Sequence, residues 1–236
     1  MITLLQISFV LTAYLISSIP FGLVLTKIFL RTDIRKIGSG NIGATNVLRT
    51  GSKLLAIATV IFDAMKPYLS YLGIRYIVFP AFFGFNVTRF VVNVLEDSRI
   101  DALLYIYMYI TAISLIGHCF PVWLKFKGGK GVATIFGSLF LFTNWWYFIP
   151  VLPFLALATW LSTAFISKKS SLSALTTALF LPLYVYWTSP YVPELTSILT
   201  RFFFGISLFV IIRHHANIRR LIKGTEDNIH ISKSKK

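Results

Sequence analysis

Long apolar runs, separated by short basic or glycine-rich stretches, dominate the chain. A helix needs about 20 apolar residues to cross the hydrocarbon of a bilayer. Ile2 to Leu30 therefore predicts a first span, and Leu54 to Tyr76 a second despite Asp63, Lys66 and Arg75. Ala102 to Leu124 carries no formal charge and predicts a third. Gly131 to Ser167 is also uncharged, over a length that suits two short helices. Thr143-Asn144 with Trp145, Trp146 and Tyr147 marks the turn between them, because aromatic rings favour the membrane interface. Leu172 to Trp187 predicts a sixth span, closed by a Pro190 and Pro193 loop, and Leu195 to Ile212 a seventh. The expected fold class is all-α, a polytopic membrane protein with about seven transmembrane helices.

Composition supports that class. The chain has 236 residues, 56% hydrophobic and 13% charged, whereas soluble domains carry about 25% charged residues. A net charge of +15 raises the question of nucleic acid, but its distribution answers against it. The loop after the first span, Lys125 to Lys130, Lys168-Lys169 and the C-terminal tail hold 18 of the 23 Lys and Arg. Basic residues collect on the cytoplasmic side of membranes, which puts the N-terminus outside and the C-terminus in the cytoplasm. Ile77 to Leu95, crossing as a further span, would invert every later loop, so it is expected to be an outward extension or interfacial helix. The charge-free run Ile2 to Thr26 is too long for a signal peptide and lacks a basic leader. The lone Cys119 excludes an internal disulfide and a cysteine-based metal site. One membrane domain over residues 1–223 and a basic cytoplasmic tail over 224–236 are expected.

Three loops carry candidate chemistry. Gly38-Ser39-Gly40-Asn41-Ile42-Gly43-Ala44-Thr45-Asn46-Val47-Leu48-Arg49 contains a G-x-G-x-x-G string. A dinucleotide fingerprint needs a preceding strand, and here a membrane span precedes. Glycines still let backbone amides approach an anion, Ser39, Asn41 and Asn46 add neutral donors, and Arg49 offers a bidentate phosphate contact. Lys127-Gly128-Gly129-Lys130-Gly131-Val132-Ala133-Thr134 opens the fourth span. It is not a Walker loop, since Gly131 replaces the hydroxyl residue after the lysine, yet it sets bare amides and Lys130 at a helix N-terminus that suits an anion. Read blandly, the first loop is a flexible re-entry and the second a helix start with snorkelling lysines.

The third loop, Arg213-His214-His215-Ala216-Asn217-Ile218-Arg219-Arg220-Leu221-Ile222-Lys223-Gly224-Thr225-Glu226, follows the seventh span. On a helix Arg213, Asn217 and Arg220 form one stripe, and His214 neighbours Asn217 three positions on. A basic tail bound to anionic lipid is the alternative. Asp63 and Lys66, three apart within the second span, are either a functional intramembrane pair or a self-neutralising structural one. His118 reads as a hydrogen-bonded packing residue.

Together these strings resemble the bacterial acyl-phosphate:glycerol-3-phosphate acyltransferases, the PlsY family. The resemblance rests on S-G-N-I-G-A-T-N-V-L-R at Ser39–Arg49, G-H-x-F-P-V-W at Gly117–Trp123, G-G-K-G-V-A-T at Gly128–Thr134 and R-H-H-x-N-I-x-R-L at Arg213–Leu221. It implies transfer of a fatty acyl group from acyl phosphate to the sn-1 hydroxyl of glycerol 3-phosphate, forming lysophosphatidate. It also implies a bacterial inner membrane, a site facing the cytoplasm, membrane lipids as surroundings, and a soluble PlsX-family enzyme as a partner. No cofactor and no metal are implied.

By matching position, His214 and Asn217 would sit at the reacting centre. Ser39, Gly40, Asn41, Asn46 and Arg49 would hold the acceptor. Gly128, Gly129, Lys130, Gly131 and Thr134 would bind the donor's phosphate, and Arg220 and Glu226 would complete the polar wall. Pro67 after Lys66, where the family usually has glycine, and about 20 extra residues around Ile77–Leu95 depart from the pattern. An acyl phosphate is already an activated anhydride, so positioning and charge stabilisation suffice. The reference pKa of histidine makes His214 a base candidate, and the acceptor's own phosphate is another. The His-x-x-x-x-Asp dyad of acyl-CoA-type enzymes is absent. An organophosphate transporter would instead place its site near Asp63 and Lys66 at the midplane, and a lipid-binding scaffold would need only the tail.

Overall fold

The structure, a computed structural model, describes residues 2–83, 99–143, 151–188 and 193–229. All regular elements among them are helical. The expected turn at Asn144 to Tyr147, Pro190, residues 84–95 of the extra segment and residues 230–236 of the tail lie outside the described residues.

The first apolar run forms two helices, α1 (Ile2–Ser17) and α2 (Phe21–Leu30), bent by 40° at the break. Pro20 precedes α2 and has no N–H to continue the helix through it, so the run expected to form one span is divided into two helices. A short helix, α3 (Ala44–Leu48), follows the first glycine loop. α4 (Lys53–Gly73) begins at a Ser52 cap whose hydroxyl accepts the Leu55 N–H and runs on through a π-turn (Ile74–Val78) into α5 (Phe79–Phe83). The described part of the extra segment thus continues α4 rather than forming a separate element.

α6 (Arg99–Cys119) leads into the second glycine loop. The uncharged run then forms α7 (Val132–Thr143) and α8 (Leu152–Ser167), the two short helices expected. α9 (Ser170–Thr188) and α10 (Pro193–Arg213) follow, and α11 (His215–Ile222) closes the described helices. Among the described residues, Lys53–Ala81, Leu104–Leu124 and Pro193–Arg213 are each long and apolar enough to cross a membrane, and the bent α1–α2 pair qualifies as a fourth.

Packing explains which residues face where. α1 lies against α6 and α4, α4 against α7, and α9 between α8 and α10. Small residues let these backbones approach, as membrane helices require. A Cβ on Gly137 of α7 would fall on the Ala64 carbonyl of α4, and one on Gly117 would meet the Tyr14 carbonyl of α1 at 2.8 Å. Buried hydroxyls of Ser17 and Ser70, 3.0 Å apart, join α1 to α4. Outward side chains are large and apolar, with Phe165 at 86% and Ile166 at 82% exposure. In water such surface would drive association; against lipid it costs nothing.

Candidate active site

The first glycine loop is held by one side chain. The Asn46 amide donates to the carbonyls of Ile34 and Ile37, each at 3.0 Å, and of Asn41 at 2.8 Å. Its oxygen accepts the Ser39 N–H at 3.2 Å. Asn46 is buried and fully used within the loop, so its local role is to staple the loop. Asn41 likewise accepts the Gly43 N–H at 3.1 Å. Gly38 has φ +52, and a Cβ there would meet Arg49 Cδ and Asn46 Oδ1, both at 2.6 Å. That close fit lays the Arg49 side chain along the loop. Ser39 is exposed and Gly40 half-buried on the same turn. The Thr45 and Ser170 hydroxyls, 3.1 Å apart, tie the loop to the start of α9.

The second loop departs from the expectation of bare amides. The Gly128 N–H donates to the Cys119 carbonyl and the Gly129 N–H to the His118 carbonyl, each at 3.1 Å. These two amides satisfy carbonyls left open at the end of α6. Gly131, at φ +82, turns the chain into α7, and its carbonyl accepts the first bond, from Ile135. The hydroxyl of Thr134, in the first turn, is buried and has no partner among the described residues. Lys130 reaches out of the loop and donates to Asn217 Oδ1 at 2.6 Å. Burial is the largest influence on its ammonium and, with the charges of Arg220, Arg213 and Arg49 acting the same way against the help of Glu226, lowers its pKa to about 8.

The third motif is not one continuous helix. α10 ends at Arg213, and the His214 N–H is shared between the carbonyls of Val210 and Ile211, tightening the last turn. The chain bends at His214 (φ −98, ψ 11) before α11 begins. The bend sends the expected stripe in two directions. Arg213 donates to the Gly129 carbonyl at 2.9 Å and lies 4.8 Å from the centre of the Phe120 ring. Asn217 and Arg220 turn instead to Glu226. His214 is buried, with Nδ1 2.8 Å from the Val210 carbonyl, while His215 is exposed. A carbonyl only accepts, so Nδ1 holds the proton and Nε2 keeps its lone pair. Burial, reinforced by the Lys130 charge, pulls the His214 pKa down to about 4.

Glu226 gathers these parts. Its Oε1 accepts from Asn217 Nδ2 and from the Ser171 hydroxyl, and its Oε2 from Arg220 Nε, all at 2.6 Å. Partial burial opposes its charge, yet these three donors hold the carboxyl below the usual carboxylate range. Lys169 binds the Glu226 carbonyl at 2.7 Å, and the Ile229 N–H donates to Lys168 at 2.7 Å. Residues 224–229 therefore run as a strap across this end of the bundle. Ser171 and Lys169 carry no motif that marks them as site residues in the sequence. Lys168-Lys169-Ser170-Ser171, basic residues and hydroxyls together at a helix start, was the available signal.

Lys130, Arg49, Arg213 and Arg220 thus outnumber the two carboxylates among them, Glu226 on Arg220 and Asp227 on Arg49, an arrangement that can hold anions. Below it, Val132, Ile135, Leu139, Ala178, Leu181 and Val210 line an apolar cavity among α7, α9 and α10. Val132 adjoins the lysine loop and Val210 is the partner of His214, so the apolar lining begins beside the polar groups, though the cleft itself is small.

A family model described as glycerol-3-phosphate acyltransferase matches residues 7–224. The chain is 39% identical over 230 residues to a glycerol-3-phosphate acyltransferase of Bartonella quintana (strain Toulouse), covering 96% of this chain and 94% of that one. It is 42% identical over 222 residues to one of Agrobacterium fabrum (strain C58), covering 93% and 89%. The fold is similar to the crystal structure of PlsY, an integral membrane glycerol 3-phosphate acyltransferase, in its glycerol 3-phosphate form. The TM-score is 0.70 at 28% identity, over 94% of both chains. The lysophosphatidic acid form gives 0.69 at 27% identity.

Proposed function

The chain belongs to the glycerol-3-phosphate acyltransferase family, and from that membership we propose how its site works. It is an integral membrane acyltransferase that acylates glycerol 3-phosphate and yields lysophosphatidate. The donor is acyl phosphate, whose phosphate meets Lys130 beside Gly128, Gly129, Gly131 and the Thr134 hydroxyl. The acceptor's phosphate meets Arg49 and Ser39, on the loop that Asn46, Asn41 and Gly40 shape. The observation that carries this reading is the Lys130–Asn217–Glu226–Arg220 chain of 2.6 Å bonds, which joins the second and third motifs into one cationic site.

The sn-1 hydroxyl attacks the acyl carbon, and the C–O bond to phosphate breaks with departure of an anion that Lys130 neutralises. Both substrates are anionic, so the surrounding cations offset their repulsion and fix their approach. An imidazole with a pKa of about 4 is a weak base, whereas the dianion of a phosphate monoester takes up a proton near about pH 6. The acceptor's own phosphate therefore receives the hydroxyl proton. His214 Nε2, bare and neutral, accepts a hydrogen bond that orients the hydroxyl. Asn217 positions Lys130, and Glu226 with Arg220 holds Asn217.

With the N-terminus outside, the basic loops face the cytoplasm of a bacterial inner membrane, where a soluble PlsX-family enzyme supplies the donor. Purified protein given acyl phosphate and glycerol 3-phosphate should form lysophosphatidate, and Lys130→Met should abolish it. Full turnover by Lys130→Met would remove that side chain from the site.

A further inference from the structure

The mechanism leaves one charged cluster unused. Asp63 and Lys66, one turn apart on α4, meet His118 in the last turn of α6. Lys66 Nζ lies 2.8 Å from Asp63 Oδ1 and 2.9 Å from His118 Nδ1, and Asp63 Oδ1 lies 3.6 Å from that nitrogen. Lys66 is completely buried, and Asp63 and His118 are 4% and 5% exposed. A buried ion pair is a costly way to fill space, since apolar residues of similar volume often do as well. A transport site would need access, and this cluster has none.

What the cluster touches is the second glycine loop. An ammonium only donates, so the short contact makes Nδ1 of His118 the acceptor and places the ring proton on Nε2. A Cβ on Gly129 would fall on that Nε2. The His118 carbonyl also takes the Gly129 N–H, and Arg213 takes the Gly129 carbonyl. Gly129 is thus clamped between the imidazole edge, the end of α6 and α10. The next residue is Lys130, bonded to Asn217.

We propose that Asp63, Lys66 and His118 are positioning residues for acyl transfer: Asp63 fixes Lys66, Lys66 fixes the plane and tautomer of His118, and His118 sets the height of the Gly128–Gly131 loop and so the placement of Lys130. The proposal rests on the reading that this loop takes the donor's phosphate. None of the three touches substrate. Their loss acts on donor usage and spares the acceptor, whose loop Asn46 holds independently.

The test is initial-rate kinetics on purified enzyme with donor and acceptor varied separately. Lys66→Met should raise the donor KM at least about tenfold with the acceptor KM within about twofold. Gly129→Ala should show the same donor defect, because the new methyl strikes His118. Adding His118→Ala should then restore donor usage above that of Gly129→Ala alone, which a generally damaged fold would not do. If Lys66→Met does not accumulate, the Gly129→Ala and His118→Ala pair decides. Equal effects of Lys66→Met on both KM values, or a double variant worse than either single one, overturns the relay. Lys130→Met that loses donor usage beside an unaffected Lys66→Met overturns the relay alone. An unchanged donor KM in Lys130→Met overturns the loop assignment and the relay with it.

Discussion

Asp227 Oδ2 lies 2.9 Å from Nη2 of Arg49, so a carboxylate of the strap already sits on the guanidinium assigned to the acceptor's phosphate. The Asp227 side chain is 63% exposed and that of Arg49 24%. Exposed pairs are worth at most about 1 kcal/mol, and a phosphate dianion should displace this one. Asp227→Asn should therefore lower the acceptor KM, by up to about fivefold at low salt, with less gain at high salt. Arg49→Ala, which removes a charged contact worth about 1.5–3 kcal/mol, should cut acceptor usage about 10- to 150-fold. An acceptor KM raised by Asp227→Asn would show that the carboxylate aids binding rather than competing.

His214 and His215 form an internal control. His214→Ala should lower kcat at least about 100-fold, whereas the exposed His215→Ala should stay within about twofold. With a pKa of about 4, His214 stays neutral through the physiological range. The wild-type rate should fall only below about pH 6, where the acceptor's phosphate dianion becomes a monoanion. That acid limb should persist at the same pH in a slower His214→Gln enzyme. Its disappearance there would make the imidazole the titrating base.

Lys130 sets the alkaline side. Its pKa of about 8 means the ammonium loses its proton as pH rises through that value, and with it the charge that holds the donor. Donor kcat/KM should decline above about pH 8 while acceptor kcat/KM changes less. Lys130→Arg keeps its charge beyond about pH 12 and should shift that limb upward, whatever its absolute rate. A limb unmoved by Lys130→Arg would trace it to another group.

Orientation can be read by labelling. In a Cys119→Ser background, single cysteines at Ser170 and Ser189 should react with impermeant reagent from opposite faces, the first from the cytoplasm. Labelling of both from one side would overturn the span order derived from Lys and Arg placement.

The helices and the loops that build the site were legible because apolar runs and short motif strings are local signals. The paired short helices α7 and α8 follow from the uncharged stretch Gly131 to Ser167, and Lys130, Asn217, Arg220 and Glu226 do converge. The meaning of the glycines was harder to read. A missing Cβ announces that something comes close, but Gly128 and Gly129 turn their amides to the end of α6, and Gly129 meets an imidazole. In the sequence Asn46 reads as a donor to substrate, yet its bonds close its own loop. The bend at His214 has no composition signal, since its residues are ordinary helix formers on both sides. Contacts such as Glu226 with Ser171, or Asp227 with Arg49, join segments far apart in the chain, and no periodicity reports them.

The strap also sets an order of events in the life of the molecule. Synthesis runs from the N-terminus, so both glycine loops and every span through α10 are made before Asn217 and Glu226 exist. Until then Lys130 lacks its 2.6 Å partner, and Ser171 has no carboxylate to meet. On the roles proposed for Lys130 and Asn217, a nascent chain threads its helices into the bilayer while catalytically inert. Activity then begins when the last polar segment folds back over the finished bundle, so turnover doubles as a report that assembly is complete.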